Sequence, residues 1–233
     1  MHKPVCCIFN IAPHYRSHIY KMIDQTFNCD FYIGDRIDNS IKLMNYNDLN
    51  NFMRIIKYKP LLGNLYFQKG AARTAFKPYK HYIITGDLRC VSTWIILLVT
   101  KMLGKQTYLW THGWYGHEKF VKTQIKKLFF GMSYRVLLYG NYARNLMIKS
   151  GFDPEKLVVI FNSLDFDAQC KVRKKLTKIG IYKNHFNNDF PVMLFIGRIQ
   201  ESKKINVLLN PTKELIDKGI YCNLIIIGAG DDL

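Results

Sequence analysis

Residues 195–209, FIGRIQESKKINVLL, change character twice within one short stretch. The first two close an apolar run over 192–196, bounded by Pro191 and Gly197. A run this short between breakers is the mark of a buried strand. Gly197 and Arg198 follow at once, then a polar loop ending in Lys203 and Lys204. Beyond it, Ile205, Leu208 and Leu209 recur at helical spacing. Strand, glycine turn and helix start are the ingredients of an anion site. Glycine admits a close backbone approach, and the N–H groups of a helix N-terminus favour negative charge. Arg198 and Lys203 add two formal charges, which suits a diphosphate.

Outward from this stretch the same grammar repeats. Residues 221–227 (YCNLIII) form a further strand, closed by Gly228-Ala229-Gly230. Towards the N-terminus, strands are expected at 4–9, 29–33, 79–85, 106–111, 135–139 and 157–161. Helices are expected at 13–27, 91–103, 117–130 and 142–150. The first helix carries Tyr15, Ile19, Met22, Ile23 and Phe27 on one stripe. Residues 39–67 are less regular and Asn-rich, with one or two strands and a short helix. Short apolar strands alternating with helices indicate an α/β fold with a parallel sheet of right-handed βαβ units.

The text changes after Asp165. KVRKKLTK (171–178) is strongly basic and NHFNND (184–189) is polar. The expected organisation is a Rossmann-like domain over 1–168, a linker over 169–189 and the first part of a second Rossmann-like domain over 190–233. A single βαβ unit cannot bury both faces of its sheet, so the second domain is expected to be incomplete. In parallel sheets ligands sit beyond the carboxyl ends of the strands. The residues there are Asn10, Gly86, His112, Gly140 and Asn162. His112 stands out, because histidine has no special role in turns.

Composition narrows the function classes. With 48% apolar residues among 233, sizeable cores are expected and disorder is not. The six cysteines, Cys6, Cys7, Cys29, Cys90, Cys170 and Cys222, form no CxxC pair. Neither a zinc site nor a disulfide framework is indicated, and reduced thiols fit a cytoplasmic protein. The apolar run after Lys3 is too short for a signal peptide, and that at 94–99 is too short to cross a bilayer. The net charge of +17 is compatible with nucleic acid, an anionic membrane or anionic substrates. Its cations are spread along the chain, and no zinc-finger, RRM or homeodomain pattern is present. A generally basic surface accounts for it without nucleic acid.

Three pieces in order carry a resemblance: LVVIFNSLD (157–165), FIGRIQESKK (195–204) and LIIIGAGDD (224–232). Together they resemble the retaining glycosyltransferases of family 4, which have the two-domain GT-B fold. The resemblance implies that Arg198 and Lys203 hold the diphosphate of a nucleotide-sugar donor and stabilise the departing nucleotide. It implies that Gly197, Gly228 and Gly230 belong to the donor site and that His112 lies near the donor sugar. No metal and no organic cofactor is expected. Two features depart from the family pattern. The Gly-Gly loop after the first strand is replaced by NIAPHYRSHIY, where Arg16 is a substitute contact for phosphate or acceptor. The family's downstream pair of glutamates is missing from the chain.

The acceptor side is expected around GWYGHEKFVKTQIKKLFFG (113–131), with His117 and Glu118 as pocket residues. On a helix there, Phe120, Val121, Ile125, Leu128 and Phe129 share one face. That face is expected to pack on the sheet, leaving Lys119, Lys122, Lys126 and Lys127 in water or on an anionic membrane. The activity expected is sugar transfer, with retention, to a glycan or lipid-linked glycan in cell-surface polysaccharide assembly, at the inner face of the membrane. The alternatives are an inactive fragment, a nucleotide-sugar epimerase of the same fold, and a basic nucleic-acid-binding module.

Overall fold

The computed structural model describes residues 4–35, 41–116, 118, 120–162, 164–177 and 180–230. The chain divides into two compact units, residues 1–171 and 172–233.

Unit 1 runs β1 (Val5–Phe9), α1 (Ser17–Phe27), β2 (Asp30–Gly34), β3 (Phe52–Ile56), β4 (Tyr58–Pro60), β5 (Tyr66–Gln68), β6 (His81–Thr85), α2 (Val91–Met102), β7 (Gln106–Thr111), α3 (Phe120–Gly131), β8 (Arg135–Leu138), α4 (Asn141–Lys149) and β9 (Leu157–Val159). Seven of these strands make one parallel sheet in the order β3-β2-β1-β6-β7-β8-β9. β4 and β5 form a separate antiparallel hairpin. The strand order reverses between β1 and β6, the position at which such sheets open a crevice for ligands.

Both faces of the sheet are covered. One face joins Cys6, Ile8, Tyr32, Tyr82, Ile84 and Leu109 to Ile96 and Leu97 of α2, Phe129 and Phe130 of α3 and Met147 of α4. The other joins Cys7, Phe9, Phe31, Ile33 and Trp110 to Tyr20 of α1 and to Met44 and Leu49. Burial on both faces is why β1 is a continuous apolar run and why Phe31, Tyr32 and Ile33 follow one another in β2.

Two helices turn inward faces that differ in part from those expected. In α1, Ile19 and Ile23 of the expected stripe pack against the second core. Tyr20 and Asp24 are buried beside them, while Met22, Phe27 and Tyr15, which precedes the helix, are exposed. Asp24 is buried because its carboxylate accepts from Asn50 N–H (2.6 Å) and Asn51 Nδ2 (2.9 Å), tying the helix to the 50–51 loop. In α3, Phe129, Phe130 and Lys126 face the sheet. Phe120, Val121, Ile125 and Leu128 face outward, Phe120 with 77% of its surface exposed. Apart from Phe129, the expected face of α3 is therefore corrected, and Lys126 is inside rather than in water.

The helix α5 (Phe166–Lys175) crosses the division between the units, and α6 (Ile181–Phe186) follows. The segment read as a linker is thus largely helical. Unit 2 continues with β10 (Val192–Ile196), α7 (Asn206–Asp217) and β11 (Asn223–Ile227). β10 and β11 pair in parallel, Val192 opposite Asn223 through Ile196 opposite Ile227. No helix among the described residues is long and apolar enough to cross a membrane.

Candidate active site

In unit 1 a pocket of about 220 Å³ opens at the carboxyl ends of β1, β6 and β7, where the strand order reverses. Phe9, Asn10, Arg16, Thr85, His112 and Tyr139 are among its lining residues. Its floor is fixed by the turns that leave the strands. Asn10 N–H donates to Thr85 Oγ1 (3.2 Å), and Asn10 Nδ2 donates to Tyr66 Oη (2.6 Å). Tyr66 Oη in turn donates to Asp87 Oδ2 (3.1 Å), and Arg89 pairs with the same carboxylate. Gly34 is required beside this network, since a Cβ there would overlap the Asn10 carbonyl.

Arg16 is the charged centre of the pocket. Its guanidinium lies over the rings of Tyr139 (5.0 Å) and Trp110 (5.6 Å). Nη1 donates to Tyr139 Oη (2.8 Å) and Nη2 to Asn162 Oδ1 (2.7 Å). Among the described residues, Arg16 Nε and Trp110 Nε1 are buried with no hydrogen-bond partner. Burial raises the Tyr139 hydroxyl pKa against the opposing effect of Arg16, so the phenol stays neutral beside the cation. Arg16 is therefore a caged, preoriented charge, with its own Nε–H and the neighbouring Trp110 Nε1–H left unmatched.

His112 follows β7 at the rim of the same pocket. Its ring packs edge-on against Tyr139 (4.5 Å between centroids). Desolvation first, and then Arg16, push the imidazole pKa down, so His112 is neutral at pH 7. The turn beyond it is held from three sides. Gly113 has φ +74°, and a Cβ there would come within 2.5 Å of Leu138 Cδ2. Thr111 Oγ1 accepts from Gly113 N–H (3.2 Å) and donates to the Gly86 carbonyl (3.0 Å). Lys126 Nζ reaches the Gly113 carbonyl (3.1 Å).

Glu118 serves that turn too. Its side chain and that of Lys126 are each 4% exposed and form a buried ion pair. The carboxylate also accepts from the N–H groups of Tyr115 (3.0 Å) and Gly116 (2.9 Å). Burial alone would raise its pKa, but these donors outweigh burial and hold it at about 2. With its acceptor positions filled from within, Glu118 holds the loop behind His112. His117 lies outside the described residues.

Unit 2 places the other expected residues around one turn. Arg198 and Lys203 are both exposed. Lys203 closes a short 3-10 turn (Glu201–Lys203), and Lys204 beyond it has φ +49°. Helix α7 starts only at Asn206, so Lys203 lies before the helix rather than in its first turn. The loop after β10 pairs with the loop after β11, Gly197 N–H donating to Ile227 O and Ile199 N–H to Ala229 O, each at 3.0 Å. This contact explains Gly228 and Gly230: a Cβ on either would overlap the carbonyl of Gly197 or Ile199. The space beside these glycines is filled by the neighbouring loop. Gly197 itself makes only ordinary contact with the Phe195 ring (3.5 Å).

The structure thus brings Arg16 and His112 into one pocket and gathers Gly197, Arg198, Lys203, Gly228 and Gly230 into one loop pair. Tyr139 and Trp110 are additional pocket residues that no motif flagged. Their one sequence signal is position, beside a strand end. Among the described residues no group of three or more His, Cys, Asp or Glu is placed to hold a metal ion.

No family model and no curated protein matches this sequence. Solved structures do. The apo form of the lipopolysaccharide outer core galactosyltransferase WaaB aligns at TM-score 0.57 and 15% identity, over 98% of this chain and 61% of that one. Anabaena Alr3699/HepE in complex with UDP and glucose aligns at 0.59 and 12%, over 99% and 62%. The UDP-GlcNAc 2-epimerase of Methanocaldococcus jannaschii aligns at 0.54 and 17%, over 95% and 64%. The fold is of the GT-B, Rossmann-like type. The chain spans a little under two thirds of the length of these structures.

Proposed function

We infer that this protein uses a nucleotide-diphosphate sugar and transfers the sugar, with retention, to a glycan or lipid-linked glycan. The observation that carries this reading is the pocket where the strand order reverses. It holds a caged cation, a neutral histidine and unmatched buried N–H donors, on a fold whose solved examples include complexes with UDP and UDP-sugars. The family 4 resemblance supplies the retaining outcome, the roles of Arg198 and Lys203, and the context of cell-surface polysaccharide assembly.

In this reading Arg198 and Lys203 hold the diphosphate. As the glycosidic bond breaks, the nucleotide leaves with increasing negative charge, and these two cations offset that charge at the oxygens where it develops. Neutral His112 offers a hydrogen bond to a sugar hydroxyl without adding repulsion to its cationic surroundings. Arg16, held on two rings and two hydrogen bonds, favours an anionic or hydroxyl-rich group in the pocket. No step calls for a metal or an organic cofactor. The protein works at the inner face of the membrane, where the outward residues of α3 (Phe120, Val121, Ile125 and Leu128), interspersed with Lys122 and Lys127, provide a contact.

A second reading, epimerisation of the nucleotide sugar, is favoured by one specific observation. UDP-GlcNAc 2-epimerases align over 95% of the chain, nearly the 98% of the galactosyltransferase. Product analysis with labelled UDP-sugars, with and without membrane glycolipid extract, separates the two. Label entering the glycolipid with release of UDP is the expected result. An epimerised UDP-sugar, or epimer with free UDP and no acceptor product, would replace it.

A further inference from the structure

Apart from Tyr66 and Gln68, which hold Asn10 at the pocket floor, the β4–β5 hairpin carries two features that fit a single ligand. At its base, a groove of about 400 Å³ is lined by Arg54, Lys57, Lys69 and Arg73, with Ile55 and Phe67. Arg54 is held in place: its Nη2 reaches the Gly70 carbonyl (3.4 Å) and its guanidinium lies over the Tyr32 ring (5.8 Å). Lys57 and Lys69 are brought together because Lys69 N–H donates to the Lys57 carbonyl (2.9 Å), extending the hairpin ladder. Among the described residues, none of the four cations has an ion-pair partner and no Asp or Glu lines the groove. Four like charges around one groove repel one another and are relieved by an anion.

The second feature is the tip. In the hairpin Tyr58, Lys59 and Pro60 lie opposite Gln68, Phe67 and Tyr66. Beyond them the chain turns through Leu61, Leu62 and Gly63, the last at φ +62°. Leu62 is 93% exposed, and Leu61 and Leu65 are exposed beside it. An exposed leucine on a turn adds nothing to the core. The tip lies beyond the last paired residues, Pro60 and Tyr66, and Leu65 N–H closes it by donating to the Leu62 carbonyl (3.3 Å). An apolar tip at one end of a hairpin and a basic groove at its base suit an anionic amphiphile, whose charge and apolar chain are likewise separated.

We propose that this hairpin docks on an anionic lipid bilayer, the groove taking phosphate headgroups and Leu61, Leu62 and Leu65 entering the acyl boundary. The contact is separate from the one assigned to α3. Each cation near an anionic bilayer is worth about fivefold in binding, and a leucine side chain moved from water into the acyl region roughly tenfold.

The test is sedimentation of the full chain with vesicles of phosphatidylcholine alone and of phosphatidylcholine with phosphatidylglycerol. Wild-type protein is compared with Lys57→Gln/Lys69→Gln/Arg73→Gln, Leu61→Ser/Leu62→Ser and, on α3, Ile125→Ser/Leu128→Ser. The substituted hairpin and groove side chains are exposed, so circular dichroism and melting temperature are expected to match wild type. The expected result is preference for the anionic vesicles, a loss on the order of a hundredfold in the charge variant, and a clear loss in the leucine variant. Equal binding to both vesicle types, or full binding by either hairpin variant, overturns the proposal. So does a loss confined to the α3 variant, which leaves membrane association standing but places it elsewhere. Charge-dependent binding of inorganic pyrophosphate without vesicle binding also overturns it.

Discussion

β1 and β10 are both unbroken runs of five apolar residues, VCCIF and VMLFI, each opening a βαβ unit. All five residues of β1 are buried, and none of β10 is. Local pattern makes both into strands. What separates them is their neighbours: β1 lies between β2 and β6 with cores on both faces, whereas β10 pairs with β11 among the described residues. The same difference extends to the chemistry. Arg16 of unit 1 is caged by rings and hydrogen bonds, while Arg198 and Lys203 of unit 2 stand on an exposed loop. Strand and turn follow from sequence; preorganisation follows from how much surrounds them.

The largest expected consequence lies in hydrogen exchange. Amides of β1, β2, β6 and β7 should exchange near the global unfolding limit, roughly 5–15 kcal/mol, and those of β10 and β11 orders of magnitude faster. Equal protection in the two units would break the comparison.

Next in size is Glu118→Gln. It leaves the buried Lys126 ammonium uncompensated and should cost about 3–5 kcal/mol by denaturant unfolding. Because folding lowers the Glu118 pKa, its contribution is full above the ordinary carboxylate range and is lost as pH falls through about 2. A variant as stable as wild type at pH 7 would show that the pair does not hold the His112 turn.

The glycines of unit 2 should give smaller, contrasting effects. Gly230→Ala drives a Cβ into the Ile199 carbonyl and should cost roughly 1–3 kcal/mol, whereas Gly197→Ala should leave stability unchanged. Similar melting temperatures for the two would remove the loop-packing account of Gly230.

The smallest effect is electrostatic. His112 should titrate below an ordinary histidine by NMR, and Arg16→Gln should move it upward. Since folding lowers this pKa, the unfolded chain binds the proton more readily, and His112 removes stability as pH drops below the ordinary imidazole range. An unshifted His112 in both proteins would uncouple it from Arg16.

Much of the fold was legible because its strands are short apolar runs closed by Gly, Asn or His. The expected strand at 106–111 coincides with Gln106–Thr111. Helix faces were less legible. In α3 apolar residues occur all round the helix, so periodicity alone did not decide which side faces the sheet. The deciding contact is Lys126 with Glu118, which is invisible to periodicity. The pocket was legible only in part. His112 and Asn162 stood out as strand ends, but Arg16 reaches Tyr139 and Asn162 across 123 and 146 residues, and no local pattern encodes that. The β4–β5 hairpin was legible only as one or two strands within 39–67, because each of its strands is three residues long and too short for a periodic pattern.

The central claim is that the exposed cations of unit 2 grip a nucleotide diphosphate. Calorimetric titration of the full chain with UDP and UMP, in wild type, Arg198→Ala and Lys203→Ala, tests it directly. The account predicts saturable binding of UDP, much weaker binding of UMP, and a loss of roughly tenfold or more in UDP affinity for each variant, with unchanged melting temperature. Equal affinity for UDP and UMP, or UDP binding undiminished in both variants, would contradict it.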